Sequence, residues 1–220
     1  CTQTLEALAQ PGAMVQLVLS APCRADARVV LRLDGLAVTA RTTRLGTLTA
    51  ELPAFRSPSA LSALFDDGTR IEAVVQVDDI AGYDRYAVQW FGDEALALHA
   101  YVGEAAFGDP GHISAETPRR PGSAGTFLSV LGDASVDRPL RAQVFTWPAG
   151  IGAATGTIRL DLEAAVTAAS CGRDVLGETV ERIGGAVRTR ELTLPLPECD
   201  GTDGFVVLQN PFEDLKLASD

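Results

Sequence analysis

Residues 28–53 read RVVLRLDGLAVTARTTRLGTLTAELP. Apolar and polar side chains alternate through Arg28–Asp34, Leu36–Arg41 and Thr47–Leu52, the period of a strand with one face on a core. The breaks between these runs are turn chemistry. At Asp34-Gly35 the aspartate bonds its own backbone and the glycine accepts a positive φ, and Leu45-Gly46 supplies a second glycine turn. Short alternating strands joined by tight turns predict antiparallel pairing, and many of them in series predict a sandwich or a barrel.

The pattern extends both ways from this stretch. Met14–Ser20 alternates before it. Leu61–Phe65, Arg70–Val77, Arg85–Phe91 and Ala95–Tyr101 alternate after it, separated by Asp66-Asp67-Gly68, Ala81-Gly82 and Gly92-Asp93. Beyond a segment rich in Gly, Pro, Asp and Ser, strands resume at Thr126–Leu131, Leu140–Trp147, Gly156–Ser170, Val187–Leu196 and Phe205–Asn210. Pro195 and Pro197 mark an edge strand, because proline cannot donate to a ladder. The expected fold is all-β: two Ig-like β-sandwich modules or one large sandwich, stapled by disulfides. The expected division is a first sandwich over 1–102, a loop or linker over 103–125 and a second sandwich over 126–220. Little helix is expected, and periodicity does not decide between helix and strand over Asp174–Ile183.

The hairpin Gly35–Phe55 resembles that of carboxypeptidase-regulatory-like, transthyretin-like and related Ig-like modules. The resemblance implies a β-sandwich scaffold of the kind that hosts adhesion, recognition and periplasmic assembly. The stretch Gly204–Ala218, GFVVLQNPFEDLKLA, resembles the ends of uncharacterised extracytoplasmic proteins of photosynthetic and marine alphaproteobacteria. That likeness implies a Gram-negative envelope and brings no activity with it.

Composition narrows the function further. An apolar fraction of 46% and a charged fraction of 21% over 220 residues fit a folded chain with a real core. The net charge of -11, with cations scattered rather than clustered, excludes a nucleic-acid surface and disfavours an anionic lipid one. No apolar run approaches the roughly 18–20 residues that span a bilayer, so membrane contact is expected only through an anchor preceding Cys1. The even cysteine count, Cys1, Cys23, Cys171 and Cys199, without Cys-x-x-Cys spacing, predicts disulfides rather than zinc. The local pairing, Cys1–Cys23 with Cys171–Cys199, gives each half one staple. Disulfides place the chain in the periplasm or outside the cell.

Three groups of residues carry candidate chemistry. Tyr83, Tyr86 and Trp90 form the densest aromatic patch, suited to stacking on a glycan or anchoring a protein; alternation also puts Tyr86 and Trp90 on one face with Val88, as a core would. Asp78, Asp79 and Asp84 flank Gly82 and offer calcium a set of loop carboxylates. His99, Glu104, Asp109, His112 and Glu116 lie close in sequence, but their spacing fits no metal template and reads as a polar loop. No catalytic residue, phosphate loop or dinucleotide fingerprint is found, and no cofactor beyond calcium is suggested. The expectation is a binding or structural module of the envelope with a protein partner. The rival is a hydrolase with a carboxylate pair acting on a polysaccharide.

Overall fold

The computed structural model describes residues 1–92, 96–119, 125–151, 157–199, 201, 203–209 and 211. Sixteen strands are present among them. In order they are β1 (Thr4–Gln10), β2 (Met14–Ser20), β3 (Arg28–Leu33), β4 (Leu36–Arg41), β5 (Thr47–Pro53), β6 (Ser59–Phe65), β7 (Arg70–Val75), β8 (Tyr83–Phe91), β9 (Leu96–Val102) and β10 (His112–Ile113). There follow β11 (Phe127–Leu131), β12 (Leu140–Pro148), β13 (Ile158–Val166), β14 (Asp174–Ile183), β15 (Ala186–Pro195) and β16 (Gly204–Gln209). One 3₁₀ turn, Ile80–Gly82, precedes β8. The undecided segment Asp174–Ile183 is a strand: opposite β15, its β-branched Val175, Thr179, Val180 and Ile183 suit a ladder.

Four antiparallel sheets form two sandwiches. The first packs β1-β2-β5 against β4-β3-β6-β7, and the second packs β11-β12-β8-β14-β15 against β10-β9-β13-β16. Inward alternation gives each its core: Leu17, Leu19, Leu31, Leu33, Phe55 and Phe65 in the first, and Trp90, Leu98, Phe145, Trp147, Leu160 and Leu162 in the second. β15 is an edge strand ending at Pro195, as the prolines require.

Both predicted disulfides are formed. Cys1–Cys23 closes the open end of the β1–β2 hairpin, with Cα atoms 6.1 Å apart. Cys171–Cys199 ties the β13–β14 turn to the chain after β15, at 5.1 Å. Gly46 shows why its turn needs glycine: φ is +71°, and a Cβ there would lie 2.0 Å from the Ala21 carbonyl oxygen, which forbids any side chain.

The strand pairing corrects the expected division. β8 and β9, assigned to the first module by the boundary near Gly103, pair instead with β12, β14 and β13 of the second. The change of partner falls between Val75 and Tyr83. The Gly/Pro-rich stretch after Gly103 is an excursion within the second sandwich, returning through β10 to pair with β9; residues 120–124 of it lie outside the described residues. The two sandwiches also share core. Ala87, Ala142, Val144 and Val180, on the far face of the five-stranded sheet, join the apolar cluster of the first sandwich. The centre of that sheet is therefore buried on both faces.

Candidate functional site

The aromatic patch is structural. Tyr86 and Trp90 are buried in the second core, and Tyr83 packs half-buried against the first. This corrects the expectation of a binding surface. Tyr86 belongs to the face of β8 that meets the opposing sheet, and burial pushes its hydroxyl well above the ordinary tyrosine range.

The aspartates do not converge either. Asp79 Oδ2 accepts the N–H groups of Gly12 and Ala13, both at 3.0 Å, and so fixes the β1–β2 turn. Asp84 accepts the Gly184 N–H at 2.9 Å beside Arg182, and burial raises its carboxyl above the usual value. Asp78 is exposed. With Asp79 and Asp84 holding different turns, the three carboxylates form no calcium cage. No group of three His, Cys, Asp or Glu is arranged for a metal among the described residues.

What sequence spacing dismissed, the fold brings together. His99 on β9 and His112 on β10 lie on neighbouring strands, with Nδ1 of His99 2.8 Å from Nε2 of His112. Tyr101 stacks on His112 at 4.9 Å between ring centroids, Phe107 covers it at 4.7 Å, and the Arg159 guanidinium lies 4.3 Å from the centre of the Tyr101 ring. The two histidines thus leave the expected polar loop, while Glu104, Asp109 and Glu116 stay in its exposed turns.

The hydrogen bonds fix both tautomers. Gly108 donates its N–H to His112 Nδ1 at 3.2 Å, so the neutral ring carries its hydrogen on Nε2. That hydrogen makes His99 Nδ1 the acceptor and leaves the His99 hydrogen on Nε2. His99 Nε2 lies 4.0 Å from Glu163 Oε2. A second proton on the His112 ring, at Nδ1, would set its hydrogen against that of Gly108. Accordingly burial, with the neighbouring His99, holds His112 below the usual histidine range. The same arrangement leaves neither His99 nitrogen a lone pair for a metal.

Beyond this pair lies a cleft of about 230 Å³. Its floor is the outward face of β13, where Asp161 stands opposite His99 on one side and Gln209 on the other. Glu163 stands two residues along, opposite Val207. Phe107, His99 and Tyr101 form one wall. Asp161 Oδ1 is buried without a hydrogen-bond partner. Nothing in the sequence singled out Asp161 or Glu163, because acidic residues alternate along many solvent-facing strands.

A second feature lies on the first sandwich. The edges of β4 and β5 flank a groove of about 410 Å³, lined by Leu31, Val38, Leu48, Ala50 and Leu52 and closed at one end by Val130–Asp133. Gly46 and Ala54 bond back to β2 through Ala21 and Ala13, whereas Thr47 O accepts from Thr43 on the other side. By this parity the N–H and C=O groups of Thr49 and Glu51 face outward from the edge. Leu48 and Ala50, which point into the sandwich, are only half-buried.

No known protein family matches the chain, and no curated protein matches it.

Proposed function

We propose that this protein is an extracytoplasmic binding module of the Gram-negative envelope, and that it takes up an extended segment of a partner protein as an added strand on β5. The observation that carries this reading is the open groove between β4 and β5. It combines an unpaired backbone edge with apolar inward positions, the two requirements of strand addition. The backbone of Thr49 and Glu51 supplies hydrogen bonds, and Leu48, Ala50 and Val38 supply alternating apolar contacts. Pro53 limits the ladder, since it has no N–H to offer. The disulfides fit the oxidising compartment this role requires.

The rival reading, a carboxylate-dependent hydrolase acting on a polysaccharide, has the Asp161–Glu163 pair in its favour. Two residues apart on one strand, these carboxylates approach a ligand from the same side. Glycoside hydrolysis instead needs carboxyl groups flanking the scissile bond. The arrangement suits holding a ligand better than cutting one.

A photo-reactive benzoylphenylalanine at position 48, expressed in a Gram-negative periplasm, tests the proposal. The expected product is a defined adduct with an extended segment of one envelope protein. Thr49→Pro, which removes an outward N–H and leaves the bonds to β2 intact, should abolish it without lowering the melting temperature by more than a few degrees. Absence of an adduct, or an adduct indifferent to Thr49→Pro, would contradict strand addition.

A further inference from the structure

The cleft on β13 has a chemistry of its own, independent of the β5 edge. Its floor holds the carboxylates of Asp161 and Glu163, and a carboxylate accepts several hydrogen bonds. The described residues provide almost none of them. Among the described residues Asp161 Oδ1 has no partner. His99 Nε2 stands 4.0 Å from Glu163 Oε2, beyond hydrogen-bond reach. The nearby cation, Arg159, lies over the Tyr101 ring and forms no ion pair with either carboxylate. The cleft floor therefore carries two part-buried carboxylates that take no hydrogen bond from the described residues.

Its walls are of the opposite character. Phe107 is 73% exposed and Val207 47%, with Phe205 67% exposed further along β16. A group entering here meets aromatic and aliphatic surface first and two acceptors beneath it. The histidine pair holds Phe107 in place through the His112–Gly108 bond, so this wall is set before any ligand arrives. Because His99 offers no lone pair, a metal ion would find oxygen ligands only.

We infer that the cleft binds a primary ammonium group carried on an aliphatic or sugar stem, with the ammonium donating to Asp161 and Glu163 and the stem lying against Phe107 and Val207. An ammonium supplies three donors and a positive charge. Charge-assisted bonds to carboxylates are the stronger kind, and an aromatic wall adds cation–π attraction. Two stems, a polyamine and an amino sugar, share this head group.

Two-dimensional NMR titration of the purified, disulfide-intact chain separates the outcomes. The probes are cadaverine, glucosamine, uncharged N-acetylglucosamine and calcium chloride. Saturable shifts centred on residues 99, 107, 161, 163 and 207 are expected with cadaverine or glucosamine. The stronger of the two identifies the stem. Affinity should fall at least tenfold in Asp161→Asn and severalfold in Phe107→Ala; the exposed Phe107 side chain makes the second variant safe for folding. The inference is overturned if neither amine gives saturable shifts at these residues. It is equally overturned if N-acetylglucosamine binds as well as glucosamine, if calcium alone occupies the cleft, or if both variants bind the amine as the parent does. A negative result here leaves the β5 edge untouched, and a failed crosslink at position 48 leaves the cleft untouched.

Discussion

On β8, the residues alternating with core-facing Tyr86, Val88 and Trp90 are Arg85, Ala87 and Gln89; on β13, those alternating with Leu160 and Leu162 are Arg159, Asp161 and Glu163. Read as letters, both strands have one apolar face and one polar face. In the folded chain the polar face of β8 is sealed against the first sandwich. Arg85 is fully buried and donates to the carbonyls of Ala54 and Gly12 and to Thr146 Oγ1. Gln89 accepts the Ala37 N–H and donates to Gly35 O and Glu178 Oε2. The polar face of β13 meets solvent and the cleft, and its carboxylates stay largely unpaired. A polar residue within a completed network is architecture, and one left without partners at a surface is available for binding.

The largest expected effect comes from breaking the β8 side. Arg85→Ala removes the side chain that bonds both the Ala54 and Gly12 carbonyls. Leaving buried acceptors unmet, it should lower unfolding free energy by about 3–5 kcal/mol. Thermal melts should fall by roughly 10 °C for a chain of this size. Gln89→Ala strips partners from groups that are only part-buried and should cost about 2 kcal/mol in urea unfolding. If either variant melts like the parent, the contact between the sandwiches is not held by these side chains.

A smaller effect sharpens the β13 side. His112 has a folded-state pKa below its ordinary value of 6.5. As pH falls below about 6.5, the unfolded chain takes up a proton that the folded ring resists, so stability is lost down to the folded pKa and then levels off. The protection factor at Gly108, whose N–H the ring accepts, should fall at the acid end of that window, where the folded ring itself takes up the proton. His112→Phe keeps the stack with Tyr101 and cannot titrate, so the parent's acid-dependent loss of stability should shrink. An unchanged profile in the variant would assign it to another group.

How much of this was legible in the sequence follows from where each signal resides. Alternation at Arg28–Pro53 and Thr157–Glu163 gives strands, because the side-chain period is local. Cysteine parity and separation give the staples. The polar face of β8 was not legible as an interface, since what covers Arg85 and Gln89 comes from residues 12–14, 35–37 and 54, distant in sequence. The turn chemistry at Asp78–Gly82 looks like that of any hairpin, so the change of sandwich there is hidden. The Gly/Pro-rich stretch after Gly103 looks like a linker because β10 is only two residues long. His99 and His112 meet through strand pairing rather than through spacing along the chain. The likeness over Gly204–Ala218 extends beyond the described residues at 210 and 212–218.

The central claim is that the β8 polar face holds the fold together while the β13 polar face is kept for a ligand. Equilibrium urea unfolding of the double variant Asp161→Asn, Glu163→Gln tests it most directly. Both substitutions keep side-chain shape and remove charge, and neither carboxylate accepts a hydrogen bond from the described protein groups. The account predicts a midpoint equal to or above that of the parent, because like charges two residues apart on one strand face repel. A loss of stability comparable to that of Arg85→Ala would show that Asp161 and Glu163 hold the fold, and would contradict it.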